Sequence, residues 1–168
     1  MRPHDAKQDR LLHLVYAGLF AALTALLTAA LHIPAGNGYV HCGDAVIYLA
    51  AALLPLPYAV GSSAVGGALA DLLSGYPAYA LPSLIIKALL ALCFSRIGGD
   101  RLLCARRFAA MAVCGAVSVT GYWLTAVLLY GGMSAQLLAT VPGDLIQALA
   151  SAVVYTAVAA GLGRMRNA

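Results

Sequence analysis

Five polar side chains stand inside apolar sequence: Asp44, Asp71, Lys87, Asp144 and Gln147. Asp71 falls near the end of "GSSAVGGALADLLSGY", and Lys87 interrupts "PSLIIKALLAL". A carboxylate and an ammonium in such surroundings can staple two helices as an ion pair, relay protons, or face a polar ligand in a cavity. Asp44 follows Gly43, and Asp144 follows Pro142-Gly143. Both suit a carboxylate in the first turn of a helix, where it meets free N–H groups and the helix dipole. Gln147 lies three residues after Asp144, on the same face. It has no capping role, so a cavity position suits it better. A second polar group sits in "IPAGNGYVHCGD", which holds Asn37, Tyr39 and His41.

Other chemistry is excluded by what the chain lacks. No G-x-x-x-x-G-K-[ST] loop is present to cradle a nucleotide. No nucleophile–base pair stands out. Cys42, Cys93, Cys104 and Cys114 form no C-x-x-C and have no histidine at zinc-ligand spacing, so they read as core or loop residues. The expectation is a protein that is not an enzyme and that carries no cofactor and no metal.

The elements that must position these groups follow from composition. The chain has 168 residues, is 62% hydrophobic and 10% charged, and contains no glutamate. Its mean hydropathy is +0.88. Soluble chains are about 25% charged, so the solvent here is lipid. Six apolar segments are expected, at about 11–31, 43–57, 58–74, 80–97, 106–130 and 141–162. The first exceeds the apolar core of a secretory signal and is read as a helix of the mature protein. The second and third meet at "PLPY", where Pro55 and Pro57 break the helix. Lipid offers no partner for free backbone groups, so every span must be helical. The expected fold class is an all-α integral membrane protein, one domain over residues 1–168, with six transmembrane helices in a single bundle.

Charge placement orients it. Arg2, Lys7 and Arg10 precede the first segment. Arg96, Arg101, Arg106 and Arg107 surround the loop between the fourth and fifth, and Arg164 and Arg166 follow the sixth. Loops 32–42, 75–79 and 131–140 hold no lysine or arginine. The positive-inside rule then places both termini in the cytoplasm. Of the ten basic residues only Lys87 falls in none of these three places; it lies inside the fourth segment. The five polar residues all fall toward the outer face. Asp71 and Lys87 come out roughly 6–8 Å below the outer rim on consecutive helices, at the right depth for pairing. Tyr39, Tyr76, Tyr79, Tyr122, Trp123 and Tyr130 share that side, as an interfacial belt or as stacking faces for a flat ligand. Ala17, Ala21, Ala25 and Ala29 form a stripe of small residues on the first helix, suited to close packing against another helix.

These residues resemble a known family. The loop "GYVHCGD", the helix ending "ALADLLSGY" and "YALPSLIIKALLAL" are similar to the substrate-binding S component of energy-coupling factor (ECF) vitamin transporters, closest to the hydroxymethylpyrimidine, pyridoxine and queuosine-precursor branch. The resemblance covers almost the whole chain. It implies six helices, a ligand site near the outer face capped by the loop between the first two, and ATP hydrolysis in separate subunits. It makes Ala17, Ala21 and Ala25 a docking stripe for a membrane coupling subunit that works with two ATPases. The loop carries no tryptophan, unlike some thiamine-binding members, which argues against thiamine. It becomes a lid from which Tyr39 and His41 reach the ligand. The expected substrate site is Asn37, Tyr39, His41, Asp71, Tyr79, Lys87, Tyr122, Trp123, Asp144 and Gln147. The expected ligand is a small planar nitrogen heterocycle, captured from outside. The rival reading is a stand-alone secondary transporter using Asp71 and Lys87 as a proton-coupled pair.

Overall fold

A computed structural model describes residues 3–35, 38–99 and 101–167. Along the chain come α1 (Pro3–Ala30), β1 (His32–Ala35), β2 (Gly38–His41), α2 (Asp44–Leu53), α3 (Leu56–Leu73), α4 (Pro77–Gly98), α5 (Ala105–Tyr130) and α6 (Met133–Asn167). Among the described residues five helices are long and apolar enough to cross a membrane, and α2 is not. Its ten residues rise about 15 Å, half of a hydrocarbon core about 30 Å thick. The six expected segments thus appear as six helices among the described residues, five of them of spanning length. Pro55 sets the limit, because the residue before a proline is pushed out of the helical region. Leu54 is extended, and α3 starts with Pro57 in its first turn.

Short as it is, α2 lies at the centre. Asp44 to Tyr48, Ala50 and Ala51 are all buried. Tyr48 stacks on Phe94 of α4 at 4.7 Å, and Tyr155 of α6 meets both rings edge-on. The Tyr155 hydroxyl donates to the Leu102 carbonyl at 2.7 Å, tying α6 to the α4–α5 connection.

The next layer is α3, which packs between α1 and α4. A Cβ on Gly66 would lie 2.8 Å from the Ala21 carbonyl oxygen, so the two backbones touch. Ala17, Ala21 and Ala25 are buried. The stripe expected to dock a partner is covered from within the chain, because small residues on both helices allow close approach. The outward faces instead carry Leu11, Leu14, Leu19 and Leu26 on α1, and Leu145, Leu149 and Val153 on α6. These are surfaces for lipid.

The bundle has two chemically different ends. At one, Lys7 and Arg10 sit beside Tyr58, while Arg96 and Arg107 flank the α2–α3 turn. Arg107 is buried over the Phe94 ring and donates to the carbonyls of Gly99 at 2.6 Å and Arg101 at 3.1 Å. At the other end the segment expected as a loop forms an antiparallel hairpin, with His32 opposite His41 and Ala35 opposite Gly38. Asn37 lies outside the described residues.

A further correction concerns α6, expected to begin at 141. It begins at Met133 and carries Pro142 inside it. Proline removes one backbone donor without ending this helix. Asp144 is therefore well inside α6, with no cap to provide.

Candidate functional site

A cavity of about 40 Å³ lies at the hairpin end. Its walls come from β2 (Tyr39, Val40, His41), α3 (Asp71), the start of α4 (Tyr76, Tyr79), α5 (Tyr122) and α6 (Thr140, Gly143, Asp144, Gln147). Seven of the expected site residues thus meet in one place: Tyr39, His41, Asp71, Tyr79, Tyr122, Asp144 and Gln147. Distant sequence segments converge because the bundle alternates direction and brings the end of α3, the start of α4 and the first half of α6 to the same face.

Below the cavity lies a buried polar cluster. Lys87 Nζ donates to Asp44 Oδ1 at 2.6 Å, with the two side chains 3% and 1% exposed. Gln147 Nε2 donates to Asp44 Oδ2 at 3.0 Å. Two expectations change here. Lys87 pairs with Asp44, not with Asp71. Asp44 makes no capping bond, since the α2 N-terminus has no side-chain cap. It remains in the first turn, where the helix dipole also favours a carboxylate. The long Lys87 stem reaches α2 by crossing Gly67 of α3, where a Cβ would lie 2.5 Å from Lys87 Cγ. Neither Lys87 nor Asp44 lines the cavity. They hold its floor through Gln147 and through Tyr122, whose ring centroid is 5.0 Å from Nζ. Tyr122 and Ser83 share a hydrogen bond of 2.8 Å.

The hairpin closes the top. Tyr39 OH donates to Asp71 Oδ1 at 2.5 Å. Burial and the adjacent Asp71 charge push the Tyr39 phenol well above its usual range, so it stays a donor. His41 is buried, and its Nδ1 accepts the Gly43 N–H at 2.9 Å. In the neutral ring this leaves the proton on Nε2. Gly43 is required here, because a Cβ would overlap the Thr28 hydroxyl of α1.

Aromatic faces run round the rim. Tyr39 lies 5.5 Å from His41 and 5.0 Å from Tyr76, and Tyr79 is within 6.5 Å of Tyr76, Tyr122 and Tyr130. Trp123 stands apart. Its indole N–H donates to the Met133 carbonyl at 3.3 Å, which places it at the α5–α6 junction rather than on the cavity. Successive residues on a helix point about 100° apart, so Tyr122 and Trp123 cannot both face inward. Asp44, Tyr76 and Thr140 were missed by the sequence reading as site residues. Tyr76 belonged to the external tyrosines, and Asp44 was hidden by its helix-start position.

The arrangement offers aromatic faces, two carboxyl groups and an amide around one cavity, which is recognition chemistry. No group of three metal-ligating side chains exists among the described residues. The family described as ECF-type riboflavin transporter, S component, matches residues 9–164. A Pyrococcus woesei protein, described as an uncharacterized protein in gap 3′ region, is 33% identical over 122 residues, which is 73% of this chain and 80% of that protein. No solved structure matches the chain. Because the family match leaves only the two ends outside it, and five helices of membrane length carry the fold, the chain belongs to the ECF-type riboflavin transporter S component family, as a multi-pass membrane subunit that binds substrate and is not an enzyme.

Proposed function

We propose that the chain captures a planar nitrogen heterocycle from outside the cell and delivers it through an ECF-type importer. The observation that carries this reading is the cavity ringed by tyrosines, with Asp71, Asp144 and Gln147 among its walls. Rings supply large contact area at low entropy cost, and the polar groups fix orientation. The family's name puts riboflavin first among ligands. Hydroxymethylpyrimidine, pyridoxine-like compounds and queuosine precursors have the same planar, donor-bearing character. A cavity of about 40 Å³ has room for only a few waters, so any of these ligands requires the hairpin to move. The hairpin is the lid and the Tyr39–Asp71 bond its latch.

In this reading the basic end faces the cytoplasm, with both termini, and the hairpin end faces outward. A membrane coupling subunit and two ATPases complete the importer. The burial of Ala17, Ala21 and Ala25 moves the docking surface to another face of the chain. A proton-coupled transporter built on an Asp71–Lys87 pair loses its support, since Lys87 is committed to Asp44. Purified protein titrated with riboflavin, an aminopyrimidine, pyridoxine and a deazapurine queuosine precursor tests the proposal. One of them is expected to bind at one site per chain, and failure of all four defeats the ligand class.

A further inference from the structure

At the basic end of the bundle, away from the hairpin, an open cavity of about 340 Å³ lies between the α2–α3 turn and the α4–α5 connection. Its size is that of a small-ligand pocket, about 300–1,000 Å³. Leu54 and Leu56 come to it from the turn, Ser95, Arg96 and Gly99 from the end of α4, and Arg107 from the first turn of α5. Arg107 is 3% exposed. Its Nε donates to the Arg101 carbonyl and its Nη2 to the Gly99 carbonyl, and the Phe94 ring lies against the guanidinium. All of these partners are neutral. Nη1 is buried and meets no acceptor. It rests where Gly98 has no side chain, since a Cβ there would lie 2.5 Å from it. The Tyr155 hydroxyl, on the ring beside Phe94, gives its proton to the Leu102 carbonyl and brings no negative charge.

A buried cation is costly unless an anion answers it. Among the described residues the one ion pair joins Lys87 to Asp44, and no carboxylate pairs with Arg107 or Arg96. Asp100 lies outside the described residues. Two carbonyls fix the plane of the Arg107 guanidinium, and such a fixed fork matches the oxygens of a phosphate. We infer that this cavity holds the phosphate group of an anionic membrane lipid, with Arg107 and Arg96 as its cationic partners and Leu54 and Leu56 against the glycerol and the upper acyl chain. Position favours a lipid over free phosphate. The cavity sits at the ends of helices of spanning length, and its lining combines guanidinium groups with leucines. Leu53 and Phe108, next in the chain to Leu54 and Arg107, are 49% and 51% exposed, on surface open to acyl chains. Basic pockets between helices at the membrane boundary suit such headgroups. A bound diester would join the α2–α3 turn to the α4–α5 connection.

The test uses the delipidated full chain in detergent. Phosphatidylglycerol and phosphatidylcholine are titrated by native mass spectrometry, and radiolabelled inorganic phosphate by equilibrium dialysis. One phosphatidylglycerol per chain is expected, held about tenfold more tightly than phosphatidylcholine. Arg107→Lys keeps the charge and loses the fork, and is expected to weaken phosphatidylglycerol about tenfold. Arg96 is exposed, so Arg96→Gln tests the site even where Arg107→Lys fails to fold, and a loss of about tenfold is expected there too. Arg10→Gln, at the same end but outside the cavity, should leave the affinity unchanged. An equal loss from Arg10→Gln would make the attraction diffuse and overturn the site. Equal binding of the two lipids, or binding indifferent to Arg96→Gln, overturns it as well. Retention of inorganic phosphate without lipid overturns the lipid assignment. Binding by Asp100→Asn and not by the parent chain would mean that the chain's own acid fills the cavity, which also overturns the inference.

Discussion

Replacing Lys87 by methionine keeps the stem that crosses Gly67 and removes the charge that faces Asp44. Asp44 is 1% exposed and would keep only Gln147 as a side-chain partner. Leaving one member of a buried pair uncompensated costs about 3–5 kcal/mol, or roughly two to four orders of magnitude in the folded-to-unfolded ratio. The rescue identifies the partner. Lys87→Met with Asp44→Leu removes both charges and leaves Gln147 without its acceptor, so about 1–2 kcal/mol of the loss should remain. Lys87→Met with Asp71→Leu keeps Asp44 stranded and should be no more stable than the single variant. Unfolding in mixed micelles with rising dodecyl sulfate, followed by circular dichroism, measures all four proteins. Rescue by Asp71→Leu and not by Asp44→Leu would refute the pairing seen here.

Tyr39→Phe removes the bond to Asp71 Oδ1, and loss of a hydrogen bond to a charged group, about 1.5–3 kcal/mol, should speed ligand dissociation about tenfold or more in a stopped-flow chase. An unchanged rate would mean the hairpin is not latched there. Gly67→Ala puts a methyl 2.5 Å from Lys87 Cγ and should destabilise the protein by about 1–3 kcal/mol by overpacking, measured by the same micelle titration. Ala21→Trp should destabilise the purified protein and weaken binding together, because Ala21 meets Gly66; normal binding with lost uptake would restore the stripe as a docking face. Cys42 should react with an impermeant thiol reagent in whole cells and Cys104 only after permeabilisation; the reverse would invert the proposed orientation.

The helices were legible where physics acts locally. Lipid forces helices, prolines break them, and the uneven distribution of arginine and lysine marks one end of the bundle. Lys87 was legible as a buried charge needing a partner, because it interrupts an apolar span. Its partner was not. Depth along two neighbouring helices pointed to Asp71, but that reckoning treats α2 as another full span. Once α2 is a short central helix, Asp44 lies within reach of Lys87 across a helix that a glycine has thinned. Asp144 was obscured for a similar reason. Pro142-Gly143 imitates a helix start, and only the packed bundle shows the proline tolerated inside α6. The alanine stripe announced close packing correctly but could not name the helix that supplies it. Trp123 and Tyr122 are adjacent in sequence, and which of the two faces inward depends on the rotation of α5.

The most direct measurement is mass spectrometry of what the protein carries. Native-purified chain should release, on denaturation, one aromatic nitrogen heterocycle, near one equivalent per chain. The same preparation of a variant with Tyr79→Ala and Gln147→Leu, folded by circular dichroism, should release little of it. Recovery of a non-aromatic solute at one equivalent, or of the same heterocycle in equal amount from both proteins, would contradict the assignment of this cavity as the substrate site.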